Sequence, residues 1–272
     1  MSKIEDALNK ALMIRESTSP AGQLSVLEFG TAIAPRISSS QDIAGMVEPA
    51  VFEHRELARK RIIYPEMANS GVVNAFRQLR TKLLHQSEGR NGMLMVTSVR
   101  SGSGSSFIAL NLAAAFAFDE TKTALLIDCN LYDAGFDELL YSKSKRSLFD
   151  YLEQDGIGIE EIIQPSGIPR LRWIPAGGRR GVTTEVFTSI RMRDLMENLR
   201  DRYDDRYIIV DTPSITQSAD AEILSSFCDH VLLVVPYGKA TESQILSAAK
   251  AIDEEKLLGV VFNNEPGYGR GA

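Results

Sequence analysis

Three groups of residues in this 272-residue chain have the types and spacing of phosphate chemistry. The first is the run Thr97, Ser98, Val99, Arg100, Ser101, Gly102, Ser103, Gly104, Ser105 and Ser106. In the nucleotide loop G-x-x-x-x-G-K-[ST], backbone N–H groups cradle phosphates, a lysine reaches the β- and γ-phosphates and a hydroxyl meets magnesium. Gly104 and Ser106 fit that pattern, and Ser105 stands where the lysine belongs. The other two groups are acids that close apolar runs. Leu125, Leu126 and Ile127 lead to Asp128, and Ile208, Ile209 and Val210 lead to Asp211, Thr212 and Pro213. An anion at the end of a buried strand is costly unless it is paired or holds a cation. Ser106, Asp128 and Asp211 together supply the hard oxygens that magnesium prefers. Capping of the helices that follow is the plainer use of either acid taken alone.

For these groups to meet, the chain must bring strand ends together. Met93 to Thr97 reads as a short apolar strand, Ser105 to Phe118 as a mostly apolar helix and Thr123 to Asp128 as a second strand, which makes one βαβ unit. Further strands are expected at Leu171 to Pro175, Tyr207 to Asp211, Val231 to Pro236 and Leu258 to Phe262. Helical stretches at Glu185 to Arg202, Ala219 to Phe227 and Thr241 to Glu254 separate them. Strands apolar on both faces, alternating with helices, predict an α/β fold with a mostly parallel sheet sandwiched by helices. Ligands of such folds bind beyond the carboxyl ends of the strands. The positions to inspect are therefore Ser98 to Ser106, Asp128 to Asn130, Asp211 to Pro213, Pro236 to Gly238 and Asn263.

Ahead of this unit, Ser2 and Glu5 have capping-box spacing, and Ile4, Ala7, Leu8, Ala11 and Leu12 recur at helical period. Residues 16–48 are rich in Ser, Thr, Pro and Gly and read as linker. A short helix near Val51 to Arg61 leads to Pro65, and Val72 to His85 forms a stronger helix with Phe76, Leu79 and Leu83 on one face. The expected layout is an N-terminal helical, flexible extension over 1–65 and a P-loop-type domain over 66–272. The net charge of −6 argues against a general nucleic-acid binder. No apolar stretch reaches the ~18 residues of a membrane span. Cys129 and Cys228 read as buried thiols, and His54, His85 and His230 are too scattered for a metal site or a triad. Arginines from Arg170 to Arg206 are interleaved with acids such as Asp194, Glu197 and Asp201, the pattern of a solvated helix with local pairs.

Further residues follow the loop and the two acids in a fixed order: Asn111, Leu112 and Ala113; Asp128, Cys129 and Asn130; Asp211, Thr212 and Pro213; Asp229 to Val235; and Gly259 to Asn263. In this order and spacing the chain resembles the cytoplasmic domain of the bacterial tyrosine kinases (the BY-kinase family), relatives of the Min- and Par-type P-loop ATPases, over about Ser70 to Asn263. The opening Ser2 to Ala11 is similar to the start of stand-alone members found with exopolysaccharide machinery. The resemblance implies ATP or ADP with magnesium, held by Arg100, Ser101, Gly102, Ser103, Gly104, Ser105 and Ser106, with Asn263 near the adenine. Ser106, Asp128 and Asp211 would serve the metal, and in an active member Asp128 and Asp211 would be catalytic. Arg77 and Arg80 would serve assembly, either of like copies or with an active paralogue. The implied partner is a membrane polysaccharide co-polymerase or chain-length regulator, and the implied location is the cytoplasm, at the inner face of the membrane through that partner.

The departures bear on activity. Ser105 replaces the lysine that neutralises the transferred phosphoryl group, and Asn130 replaces a second acid, removing a proton acceptor. Asn74 replaces the acid that accompanies Arg77 and Arg80, and the chain's tail offers Tyr268 alone where the family has several tyrosines. These losses lead to the expectation of a degenerate, catalytically impaired kinase-like subunit that regulates exopolysaccharide or capsule biosynthesis or export. An active autokinase or ATPase is the alternative, with Arg100 or a residue of another chain replacing the lysine. A Min- or Par-like positioning ATPase is a third reading, which the missing lysine and acid disfavour.

Overall fold

Every residue of Met93–Ser98 (β1), Thr123–Asp128 (β2) and Arg206–Asp211 (β5) is buried, which is why their sequences show no polar alternation. Four more strands, Gln164–Pro165 (β3), Leu171–Ile174 (β4), His230–Pro236 (β6) and Leu257–Asn263 (β7), flank them. The seven form one sheet in the order β3-β4-β2-β5-β1-β6-β7. All neighbours run parallel except β3, which pairs antiparallel with β4. The computed structural model describes residues 50–67, 71–86, 92–131, 135–142, 146–177, 184–201 and 206–265.

Side chains of β1 alternate between two cores, as the pleat requires. Met93 and Met95 join one cluster, and Leu94 and Val96 the other. The first cluster packs under Leu148–Glu153 (α4), Ile159–Ile162 (α5), Ile190–Asp201 (α6), Ala219–Phe227 (α7) and Glu242–Lys250 (α8). The second is covered by His54–Arg59 (α1), Gly71–Gln86 (α2) and Ser105–Ala117 (α3). The expected three-layer α/β architecture is therefore present.

Helix α3 is buried continuously from Ile108 to Ala117, so it has no solvent face to supply polar periodicity. Its last-turn carbonyls are met by two guanidiniums: Arg80 Nη1 donates to Ala115 O at 2.7 Å and Arg170 Nε to Ala117 O at 3.0 Å. Cations suit that end of a helix both as donors and as charges.

Three features differ from the sequence expectation. The packed unit begins earlier than a 65/66 boundary implies. Leu57, Ile62 and Ile63 are buried in the second core, and Phe52 N–H donates to Gly167 O at 2.9 Å. Helix α6 starts at Ile190 rather than Glu185, because Ser189 Oγ accepts from Met192 N–H at 3.1 Å and fixes the start there. Helices α4 and α5 and the two-residue β3 are too short to leave a periodic signal, although α4 carries a capping box in which Ser147 and Asp150 bond each other. The N-terminal helix and linker, Tyr268, Arg179, Arg180, Arg202, Asp204 and Asp205 lie outside the described residues. Among the described residues no helix is long and apolar enough to cross a membrane.

Candidate functional site

Parallel strands that end side by side set the geometry. In the β2–β5 pairing Asp128 is the register partner of Asp211, and in the β1–β5 pairing Val96 is. The two acids therefore share one end of the sheet with the loop that leaves β1. Both are buried, at 1% exposure each.

The loop turns through two glycines in the left-handed region, Gly102 at φ 75° and Gly104 at φ 87°. Only glycine takes such angles without strain. At Gly104 a side chain would also collide with Asn263 Nδ2. That amide donates to Ser103 O at 2.8 Å, so Asn263, at the end of β7, lies across the loop. Ser105 is the first residue of α3, whose N-terminus has no side-chain cap. The first-turn N–H groups of α3 are thus donors at the positive end of the helix, an arrangement suited to an anion such as phosphate.

Ser106 Oγ donates to Asp211 Oδ2 at 2.6 Å, the short distance of a hydroxyl bonded to a carboxylate. Asp128 Oδ1 accepts from Asn130 N–H at 3.0 Å, and Cys129 N–H donates to Asp211 O at 2.9 Å. One hydroxyl and two carboxylates fit a hard cation that completes its shell with water or phosphate. No cluster of three or more His, Cys, Asp or Glu forms among the described residues, so a cation here would depend on such additional oxygens. Burial first, and then the neighbouring carboxylates Asp128 and Asp211, hold the Cys129 thiol well above its ordinary pKa.

The loop is bonded both to itself and to the segment after Asp211. Gln217 Oε1 accepts from Ser101 N–H at 2.9 Å, and Thr216 Oγ1 donates to Val99 O at 2.6 Å. Ile215 N–H donates to Ser98 O at 3.1 Å, and Thr97 Oγ1 to Pro213 O at 2.7 Å. Ser98 Oγ and Ser103 Oγ both donate to Arg100 O, at 3.0 and 2.6 Å. The segment after Asp211 and the loop are therefore stitched together. Sequence reasoning does not find Gln217 or Thr216, because their reach depends on β1 and β5 being neighbours.

Arg100 is exposed, and its Nη1 donates to Lys239 O at 3.3 Å. It lines an open groove of about 430 Å³ beside the loop, together with Val99, Thr216, Gln217, Gln244 and Ser247. The site thus brings together Ser101 to Ser106, Asp128, Asp211 and Asn263, with Arg100 turned toward the β6–α8 connection. Arg77 and Arg80 lie elsewhere, on α2, where Arg77 Nη2 donates to Pro65 O at 2.9 Å and Arg80 caps α3. Asn74 is exposed on the same helix.

No family model matches the chain. Among curated proteins it is 30% identical over 192 residues to the tyrosine-protein kinase CpsD of Streptococcus agalactiae, covering 69% of this chain and 81% of CpsD. It is 30% identical over 204 residues to the tyrosine-protein kinase YwqD of Bacillus subtilis, covering 74% and 83%. The longer EpsB of Ralstonia solanacearum matches at 29% over 248 residues, and the chain spans only 32% of EpsB's length. Of solved structures, the kinase domain of the Escherichia coli tyrosine kinase ETK superposes with a TM-score of 0.66 at 23% identity, over 88% of this chain and all of that one. The Aquifex aeolicus MinC:MinD complex gives 0.50 at 19% identity, over 64% and 69%. These two likenesses establish the fold alone.

Proposed function

Because the chain belongs to the bacterial tyrosine-protein kinase family, we propose that it is a catalytically impaired member whose contribution is regulated assembly rather than phosphoryl transfer. It would act in exopolysaccharide or capsule biosynthesis or export, partnering the cytoplasmic end of a membrane polysaccharide co-polymerase. It would assemble with itself or with an active paralogue. The observation that carries this reading is the mismatch inside one site. The Ser106–Asp211 bond and the register pairing of Asp128 with Asp211 support a loop and acid set of the nucleotide-binding kind, while position 105 offers a serine where transfer requires a fixed positive charge. Asn130 adds to the mismatch, since an amide cannot accept the acceptor hydroxyl's proton.

ATP or ADP with magnesium would bind weakly through that loop. Asp128, Asp211 and Ser106 are the groups for the metal, and Arg100 to Ser106 with Asn263 are those for the nucleotide. The exposed guanidinium of Arg100 beside the loop supports a second reading, an active autokinase or ATPase in which it or another chain's residue replaces the lysine. Gene deletion followed by complementation separates the two. Loss or misregulation of exopolysaccharide should be restored by the Asp128→Ala variant if assembly is the function. Failure of a stably folded Asp128→Ala protein to restore it would favour the enzyme.

A further inference from the structure

Between Ile108 and Ala117 helix α3 carries one polar side chain, Asn111, and that side chain is fully employed. Asn111 is 0% exposed. Its Oδ1 accepts from Ile63 N–H at 2.8 Å, and its Nδ2 donates to Arg61 O at 3.2 Å and to Phe107 O at 3.0 Å. One side chain therefore joins the helix that carries the phosphate loop to the main chain of the segment entering from the N-terminal extension. Asn111 stands six residues after Ser105, roughly 9 Å along the helix at 1.5 Å per residue. That distance is under two helical turns, short enough for a shift of α3 at Asn111 to carry Ser105 with it.

The segment contributes to the second core and is also fastened to the rest of the fold at several points. Its ends are pinned by Phe52 N–H on Gly167 O at 2.9 Å and by Arg77 on Pro65 O at 2.9 Å. Lys60 Nζ holds its middle, donating to Glu138 O at 2.8 Å. Leu57, Ile62 and Ile63 bury its apolar side. Arg61, at φ 58°, ends α1 in the left-handed region: its N–H donates to Ala58 O at 3.1 Å and Ile62 N–H donates to Leu57 O at 2.8 Å, the bond pair that closes a helix C-terminus. The residues just past that turn are the ones Asn111 holds, through Arg61 O and Ile63 N–H.

We propose that residues 52–65 form a strap that seats helix α3, with Asn111 as its latch, so that displacement of this strap is transmitted to the loop Ser101 to Ser106. Asn111 is a positioning residue in this scheme and touches no ligand. The coupling stands independently of what the loop binds, and only its consequence for a nucleotide rests on the function proposed above.

Amide hydrogen exchange on the full chain tests it, with the wild type, Asn111→Ala and Arg61→Gly compared without ligand. In Asn111→Ala, amides 61–64 should exchange about tenfold faster and those of the loop 101–106 should follow, while the β2 amides Leu125 to Ile127 keep their protection. Arg61→Gly should act in the opposite sense, since glycine takes the φ without strain, and slow exchange in both segments. The idea is overturned by a strap that loosens without the loop, by a loop that loosens without the strap, or by loss of protection spread evenly through β2. It is equally overturned if Arg61→Gly leaves both segments unchanged, a test that survives failure of Asn111→Ala to fold. A separate titration with Mg-ADP keeps the two questions apart. Absence of binding by the wild type counts against the nucleotide reading, while the exchange result alone decides for or against the strap.

Discussion

Replacing Ser105 by lysine asks whether the loop is still a phosphate cradle. Ser105 opens α3, and the helix has no side-chain N-cap. In the free protein a lysine there would place a cation at the positive end of the helix dipole, costing about 0.3–1 kcal/mol. With a phosphate bound the same ammonium would make a charge-assisted hydrogen bond worth about 1.5–3 kcal/mol. The variant should therefore be slightly less stable on its own and bind Mg-ADP at least about tenfold more tightly than the wild type, since about 1.4 kcal/mol is a factor of ten. Urea unfolding checks the first expectation, and calorimetric titration with Mg-ADP and Mg-ATP the second. No gain in affinity from a folded Ser105→Lys protein would refute the reasoning. It would mean that the loop held by Asn263 and Gln217 is a structural corner rather than a ligand site.

Ser106→Ala removes the 2.6 Å donor to a carboxylate that is 1% exposed, so stability in urea should fall by about 1–3 kcal/mol at neutral pH. Arg80→Ala removes the guanidinium on Ala115 O and should cost about 1 kcal/mol in the same assay. A change in sedimentation behaviour without that loss would instead mark Arg80 as an assembly residue. Both thiols should resist alkylation in the native state, because burial pushes Cys228 up to about 12 and Cys129 well above the usual range. A folded pKa above the unfolded one means that the native state holds the proton longer. Stability should therefore be unaffected by these groups below pH 9.0 and decline as pH rises from there toward 12.

The central strands are legible in the sequence because burial on both faces leaves uninterrupted apolar runs such as Leu125 to Ile127 and Ile208 to Val210. The site is legible for a related reason. A carboxylate at the end of such a run, at Asp128 or Asp211, is conspicuous, and the rule that ligands gather at carboxyl strand ends places both beside Ser106 before any register is known. What escapes sequence reading depends on reach between distant segments. Gln217 bonds Ser101 across a separation of 116 residues, and nothing in its neighbours marks it. Arg80 reads from the resemblance as an assembly residue, and its bond to Ala115 O at the end of α3 emerges only from the packed structure. The Ile62 and Ile63 pair is a fragment too short for periodicity, so its burial, and the strap it belongs to, emerge only from the packed structure. Asn111 is visible as a polar residue in an apolar helix, but its partners at Arg61 and Ile63 are not.

Incubation of the purified full chain with Mg-ATP, followed by assay of released phosphate and of phosphotyrosine, bears most directly on whether this family member has lost phosphoryl transfer. A serine at 105 and an amide at 130 predict turnover no higher than that of the Asp128→Ala variant, and no phosphotyrosine. Robust turnover or tyrosine phosphorylation that Asp128→Ala abolishes would contradict it.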